Sequence, residues 1–419
     1  MLSTAVSDHQ GRVFRNDNLH AAARTGNTLV ELLESDVIPM PEGGSLMRLP
    51  SRRPVGIDAT SGQFVSAGLE EAVAAVLPQG YTRTFLPAYI GLEGAPQLPL
   101  FGYSAVAFAG DQLMVAAIRT DERDTWDPIH YNLPELAEDI ERRLRQFPEN
   151  RILAQLARCA TEYQCFTAQN VFYGRWEGGI PVSPTCNANC LGCISLQASE
   201  CCPSPQQRID FVPTVSEIVE VALPHLEKAV GGIISFGQGC EGEPTRQWPT
   251  IVEACRELRQ RTDAGTINVN TNAGDVHAIE AICDAGVDSL RVSLASARPD
   301  YYGRYHRPRG WCLADVESSI IAARSRSLFV SLNYLVFPGF FDQEPEVDAL
   351  CDLIERCDIQ MLQLRNLNID PDIYADVMLT ENVDSDSFYP AGVDEAIAHI
   401  RDCFPSLAIG NFTMPIQRK

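Results

Sequence analysis

Three cysteines at short, unequal spacing form the most chemically suggestive stretch of the chain: Cys186-Asn-Ala-Asn-Cys190-Leu-Gly-Cys193. Thiolate sulfur is a soft donor that suits iron–sulfur clusters and zinc alike. A structural zinc site takes four protein ligands, usually as two pairs separated along the chain. One loop offers three here, which suits a cubane cluster that keeps one iron open to a small molecule. Gly192 lets the backbone wrap closely around such a group. Chance placement of the 14 cysteines would give this spacing about 0.016 times. A zinc site completed by Cys201 or Cys202 is the alternative on the same residues.

Such a loop needs a rigid frame. From residue 178 onward, short apolar runs alternate with helical segments. Strands are expected over 179–184, 232–236, 266–270, 289–294, 329–336 and 361–367. Helices are expected near 215–229, 248–261, 276–285, 314–325 and 345–357. That rhythm implies a parallel sheet with right-handed crossovers. Six strands fall short of the eight that close a full barrel. The expected fold class is α/β: a partial (β/α)6 TIM-like barrel with an additional N-terminal α/β domain and a short C-terminal extension. The cysteine loop directly follows the first strand, at the end where a barrel places its chemistry.

The division expected along the chain has four parts. Residues 1–50 form a partly ordered segment with one helix-like stretch at 21–33. Residues 51–175 form an N-terminal α/β domain of unknown role. It has strands at 104–108 and 113–118 about a Gly110-Asp111 turn, and a surface helix at 133–147. Residues 176–375 form the barrel. Residues 376–419 form the extension, with a helix at 393–403 and a last apolar run at 407–412.

Composition narrows the function classes. The chain has 33 Lys+Arg against 55 Asp+Glu, a formal net charge of −22, which repels phosphate backbones and argues against nucleic acid as a partner. No apolar run is long enough to span a membrane, so no membrane partner is expected. The first residues carry no secretory pattern. The expected compartment is the cytoplasm, where cysteines serve as ligands, catalysts or packing more often than as disulfides.

Cys186-x3-Cys190-x2-Cys193 on a βα scaffold resembles the radical S-adenosylmethionine (radical SAM) superfamily. The resemblance implies a [4Fe-4S] cluster whose open iron is chelated by S-adenosyl-L-methionine. It also implies one-electron cleavage of the sulfonium to methionine and a 5′-deoxyadenosyl radical, which abstracts hydrogen from a substrate. Gly242-Glu243-Pro244, after the second strand, looks like the family's Gly-Gly-Glu-Pro motif, which holds the methionine amino group. The chain departs from the pattern at Glu241, which stands where the first glycine usually does. By the same resemblance, Thr271, Asn272 and Ser293, and more weakly Ser296, are expected to contact the methionine carboxylate and ribose. Val336 is expected against adenine. Arg365, with Asn366, is expected to bind substrate or the cofactor's carboxylate. The catalytic residues on the substrate side stay open. The implied partners are a small-molecule or peptide substrate and an electron donor such as flavodoxin or ferredoxin. No cobalamin-binding module is apparent. Two other readings remain: a non-catalytic zinc or iron–sulfur protein, and a peptide-modifying radical maturase.

Cys201 and Cys202 are candidates for an auxiliary cluster, whereas Cys159, Cys165, Cys240 and Cys312 are scattered. Cys255, Cys283, Cys351 and Cys357 are expected in the core, since a free cysteine packs as a small hydrophobe. The basic and aromatic island from Tyr301 to Arg309 is expected to bind an anion through arginine forks, with a solvated loop as the alternative. Trp126 and Trp176 are expected to pack over the barrel mouth.

Overall fold

The computed structural model describes residues 1–197, 204–379 and 391–416. Cys201 and Cys202, suspected of serving an auxiliary cluster, lie outside the described residues.

The second half of the chain is an α/β fold built on a curled parallel half-barrel sheet. Its strands are β1 (Arg175–Ile180), β2 (Val230–Phe236), β3 (Thr266–Thr271), β4 (Ser289–Leu294), β5 (Phe329–Val336), β6 (Met361–Asn366) and β7 (Ala408–Gly410). They lie in that order, and each pairs with the next in parallel. The helices are α1 (Val215–Lys228), α2 (Trp248–Arg261), α3 (Val276–Cys283), α4 (Pro299–His306), α5 (Leu313–Ser325), α6 (Glu344–Arg356), α7 (Pro371–Met378) and α8 (Val393–Cys403).

Six strands were expected, and the sheet has seven among the described residues. The run at 407–412 supplies β7, with Ile409 opposite Leu362. Three edge residues are too few to display a period. The first strand lies at 175–180 rather than 179–184, because Pro181 has no N–H to carry the ladder further.

The sheet holds its shape because its strands are covered on both faces. Leu290, Val292, Leu294, Val330, Leu332 and Val336 have no exposed surface and face the helices in one large apolar cluster. Each such side chain contributes about 1.5–3 kcal/mol, so this layer outweighs any single polar contact in the barrel. At the start of α1, Thr214 and Glu217 form a capping box, and Glu217 also pairs with Arg151 at 2.7 Å. That carboxylate joins the barrel to the helix Arg151–Thr161 that precedes it.

The first 119 residues do not follow the α/β fold expected for the N-terminal domain. The N-terminal region is mostly antiparallel strands rather than an α/β unit. The stretch at 21–33 is strand, not helix: Val13–Thr25 turns back at Gly26 into Thr28–Glu31. Residues 1–50 are not a separate, partly ordered segment. Ser3–Ser7 pairs with Val13–Thr25, Glu71–Val76 and Val106–Ala109, so there is no break at residue 50. The helices Leu136–Gln146, Arg151–Thr161 and Phe166–Tyr173 belong to the barrel's apolar cluster instead.

Buried charge fastens the N-terminal sheet to the far ends of β5 and β6. Arg83, fully buried, donates to the Leu367 carbonyl at 2.9 Å and the Val336 carbonyl at 3.4 Å. Arg52 pairs with Asp370 at 3.0 Å, both nearly inaccessible, and Arg24 pairs with Asp372 at 2.8 Å. At the opposite end of the strands, the last described residues run across the barrel. Thr413 donates to Glu177 on β1 at 3.3 Å, and the Ile416 N–H donates to Thr266 at the start of β3 at 2.8 Å.

Candidate active site

The three thiols stand where β1 leads out of the sheet, on a loop held by α4 and the residues after it. The Asn189 N–H donates to the His306 carbonyl, the Leu191 N–H to the Tyr305 carbonyl, and the Arg309 N–H to the Asn187 carbonyl. Gly192 is required here: a Cβ would come within 2.9 Å of the Tyr305 hydroxyl and 3.2 Å of the Asn368 carbonyl.

The island at 301–309, expected to bind an anion, is therefore mainly scaffold. Pro299–His306 is helical and buries Tyr301, Tyr302, Tyr305 and His306. Helical spacing turns the aromatic residues inward, a pattern obscured by the interleaved arginines.

His306 is the contact that sequence reasoning missed. Its Nε2 accepts from the Ala295 N–H at 3.2 Å, which leaves the proton on Nδ1, 3.6 Å from the Cys190 sulfur. Burial lowers its pKa to about 3, so the ring is a neutral donor to that sulfur. Arg208 is a second such contact, 3.6 Å from the Cys193 sulfur and bonded to Ser195 at 3.1 Å. No spacing rule links Arg208 to the cysteine motif.

Glu241 explains the departure from the glycine pattern. One carboxylate oxygen accepts from the Val182 and Ser183 N–H groups at 2.8 and 2.9 Å, the other from Gly237 and Gln238 at 2.8 and 2.7 Å. It ties the exit of β1 to the exit of β2. Burial pushes its pKa up to about 7 against these four donors. Gly242 then passes so close to Thr185 that a Cβ would lie 2.1 Å from its carbonyl oxygen.

Glu243 is equally engaged. It accepts from the Thr271 hydroxyl at 2.6 Å, the Thr245 hydroxyl at 2.8 Å and the Asn272 N–H at 2.9 Å. Asn272 in turn donates to Asn187 of the cysteine loop at 2.7 Å. Glu243, Thr271 and Asn272 thus form one hydrogen-bonded rim that reaches the cysteine loop at Asn187.

These groups line one cavity of about 550 Å³. Cys186, Cys190, Cys193, Gly242, Glu243, Pro244, Thr271, Asn272, Ser293 and Arg365 all reach it, as does Asn366. Two candidates do not. Val336 is fully buried on the helix-facing side of β5, and Leu335 lines the cavity in its place, because neighbouring strand residues face opposite ways. Ser296 is committed to Glu346 at 2.7 Å and lies away from the cavity. Trp126 enters the cavity wall, stacked on Phe412 with centroids 3.9 Å apart. Trp176, on β1 itself, instead packs edge-on to His130 and does not line the cavity.

Deeper inside, Glu177 on β1, Arg291 on β4, Asn333 on β5 and Arg365 on β6 face the same space. Arg365 donates to the Asn411 carbonyl at 2.9 Å, and burial lowers its pKa to about 10. Burial also lowers that of Arg291. Arg291 Nε, Glu177 Oε2 and Asn333 Oδ1 are buried with no hydrogen-bond partner in the protein. Polar atoms are seldom left this way without a ligand or water to meet them.

The donor set fits a cluster. Burial and the neighbouring sulfurs both push the Cys190 thiol up, and burial and Glu243 push Cys186 up. Gathered thiolates are costly here unless a cationic centre compensates them. As placed, the three sulfurs do not all come within the 4.8 Å at which side chains close on a single ion.

Residues 180–350 match the family model of the radical SAM superfamily. The match covers under half of the chain, and for that family it implies a [4Fe-4S] cluster and S-adenosylmethionine. No curated protein matches the chain in sequence. Solved structures with partial likeness include a radical SAM methyltransferase from Sphaerobacter thermophilus, at 17% identity and TM-score 0.39, over 57% of this chain and 65% of that one. Methylornithine synthase (PylB) is similar at 12% identity and TM-score 0.38, over 64% and 73%. SuiB of Streptococcus suis, bound to the precursor peptide SuiA, is similar at 13% identity and TM-score 0.35, over 52% of this chain and 44% of that one. The chain thus spans less than half of SuiB's length. Among the described residues, no helix is long and apolar enough to cross a membrane.

Proposed function

We propose that the chain is a radical SAM enzyme acting on a small substrate with an anionic group. One observation carries this reading: three thiols of a single loop share a cavity with the exits of β2 to β6. Cys186, Cys190 and Cys193 would hold the [4Fe-4S] cluster. The backbone at Gly242 and the side chains of Thr271, Asn272 and Ser293 would hold S-adenosylmethionine. When bound, the cluster supplies the electron that cleaves the sulfonium, yielding methionine and a 5′-deoxyadenosyl radical that takes hydrogen from the substrate.

The remaining roles belong to the chain itself. Glu243 fixes Thr271 and the Asn272 backbone, and Glu241 fixes the two strand exits. His306 donates a hydrogen bond to the Cys190 sulfur. Arg291 and Arg365 offer guanidinium groups to a carboxylate or phosphate, and Glu177 can receive a cationic or hydroxyl group. A cavity of about 550 Å³ suits a small molecule or one residue of a peptide. The N-terminal sheet, seated on the exits of β5 and β6, excludes water and oxygen. A cytoplasmic setting with a flavodoxin or ferredoxin donor completes the reading.

Anaerobic reconstitution tests it. Wild-type protein should be brown, with about four irons and four sulfides per chain, and Cys186→Ala should bind almost none. A colourless wild-type protein that takes one zinc at this loop would defeat it.

A further inference from the structure

A second group of soft ligands lies outside the cavity, where α6 packs against α8. Cys351 is on α6; His399 and Cys403 are one turn apart on α8. Spacing of i and i+4 puts the last two on one helix face. One ligand atom from each of the three lies within 4.8 Å of the others, and His399 Nε2 is 3.5 Å from the Cys403 sulfur. Among the described residues, no other three His, Cys, Asp or Glu side chains close so tightly. Cys351 was expected in the core, yet it is only half-buried, and His399 and Cys403 are exposed. All three cysteine and histidine side chains therefore meet at an edge that metal can enter.

We propose that Cys351, His399 and Cys403 form a zinc site independent of the cluster, with three protein ligands and one open position. Zinc–sulfur bonds of about 2.3 Å and zinc–nitrogen bonds of about 2.0 Å place tetrahedral S and N donors about 3.5 Å apart, which matches the His399–Cys403 separation. Two thiolates and an imidazole select zinc over harder cations. Asp348 and Asp352 add negative charge beside Cys351. Water takes the fourth position on the exposed side. Binding exchanges two thiol protons for one Zn2+, with no change in oxidation state. The ion would brace α8 against α6. It would thereby hold β7 and the tail that closes the barrel beneath Glu177, all of which follow α8 in the chain.

The test uses the full-length chain in a Cys186→Ser/Cys190→Ser/Cys193→Ser background, which removes the competing loop thiols. Cobalt(II), then zinc, is titrated anaerobically. One equivalent of cobalt should give the visible bands of a tetrahedral thiolate complex, and one equivalent of zinc should displace it. Adding Cys351→Ser and Cys403→Ser should weaken binding at least tenfold, and His399→Ala should shift the cobalt bands. Circular dichroism of each variant should match that of its parent, since two of the three positions are exposed. Equal metal uptake with and without Cys351 and Cys403 would overturn the proposal. So would a Cys351–Cys403 disulfide in protein prepared under reducing, anaerobic conditions. Neither outcome depends on whether the loop at 186–193 carries a cluster.

Discussion

The rim and the floor of the cavity are both polar and buried, but they are finished to different degrees. At the rim, the carboxylate of Glu241 receives four backbone N–H groups, and Glu243 receives donors from Thr245, Thr271 and Asn272. On the floor, Arg291, Glu177 and Asn333 each keep a buried polar atom without a partner. A satisfied network is rigid and holds a constant shape, whereas buried polar atoms without a protein partner raise the free energy until water or a ligand meets them. The rim is therefore suited to a cofactor of fixed shape, and the floor to a substrate that comes and goes.

The contrast can be broken at several points. The largest effect belongs to the loop itself. Cys190→Ser should lower bound iron from about four per chain to below about one, read by iron analysis after anaerobic reconstitution. Next is the rim carboxylate. Glu241→Ala would orphan four buried N–H groups and should cost about 3–5 kcal/mol of stability, read by urea unfolding. A cost near zero would mean that the rim is not built as described.

The floor should respond in the opposite sense. Arg291→Met removes a desolvated charge and should leave the melting temperature unchanged or raise it by a few degrees. It should still cost about tenfold or more in affinity for an anionic substrate, which separates ligand binding from stability. The smallest effect lies far from both. Hydrogen bonding to Arg151 lowers the pKa of the Glu217 carboxyl from the ordinary glutamate value of 4.5 to about 2. A depressed acid stabilises the fold above its unfolded pKa and loses that contribution as pH falls through the folded one. Wild-type protein should lose this part of its stability between about pH 4.5 and 2, and Glu217→Gln should flatten the curve there.

Parts of this organisation were legible in the sequence for a physical reason. Strands with an apolar face toward the helices and a polar face toward the cavity read as alternating residues bounded by turns, so β3 to β6 stand out at nearly their true bounds. The cysteine loop is local, and its spacing survives in any context. The N-terminal sheet is hard to read because most of its strands are short and antiparallel, and because Ala21 to Ala23, on the longer strand Val13–Thr25, look as helical as they look extended. Val336 and its neighbour Leu335 are both apolar, a one-residue shift on a strand swaps faces, and apolar type alone does not report which of the two meets the cavity. His306, Arg208 and Arg291 reach the site from distant positions, and no local pattern connects them to the cysteines. Cys351 and Cys403 are 52 residues apart by number, and only the packing of α6 on α8 reveals the group they form with His399.

The most direct test of the central claim is the release of 5′-deoxyadenosine. Reconstituted wild-type protein, reduced with dithionite and given S-adenosylmethionine without oxygen, should release it in proportion to its cluster content, and Cys186→Ala should release none. A wild-type preparation with a full complement of iron and sulfide that leaves S-adenosylmethionine intact would contradict the account.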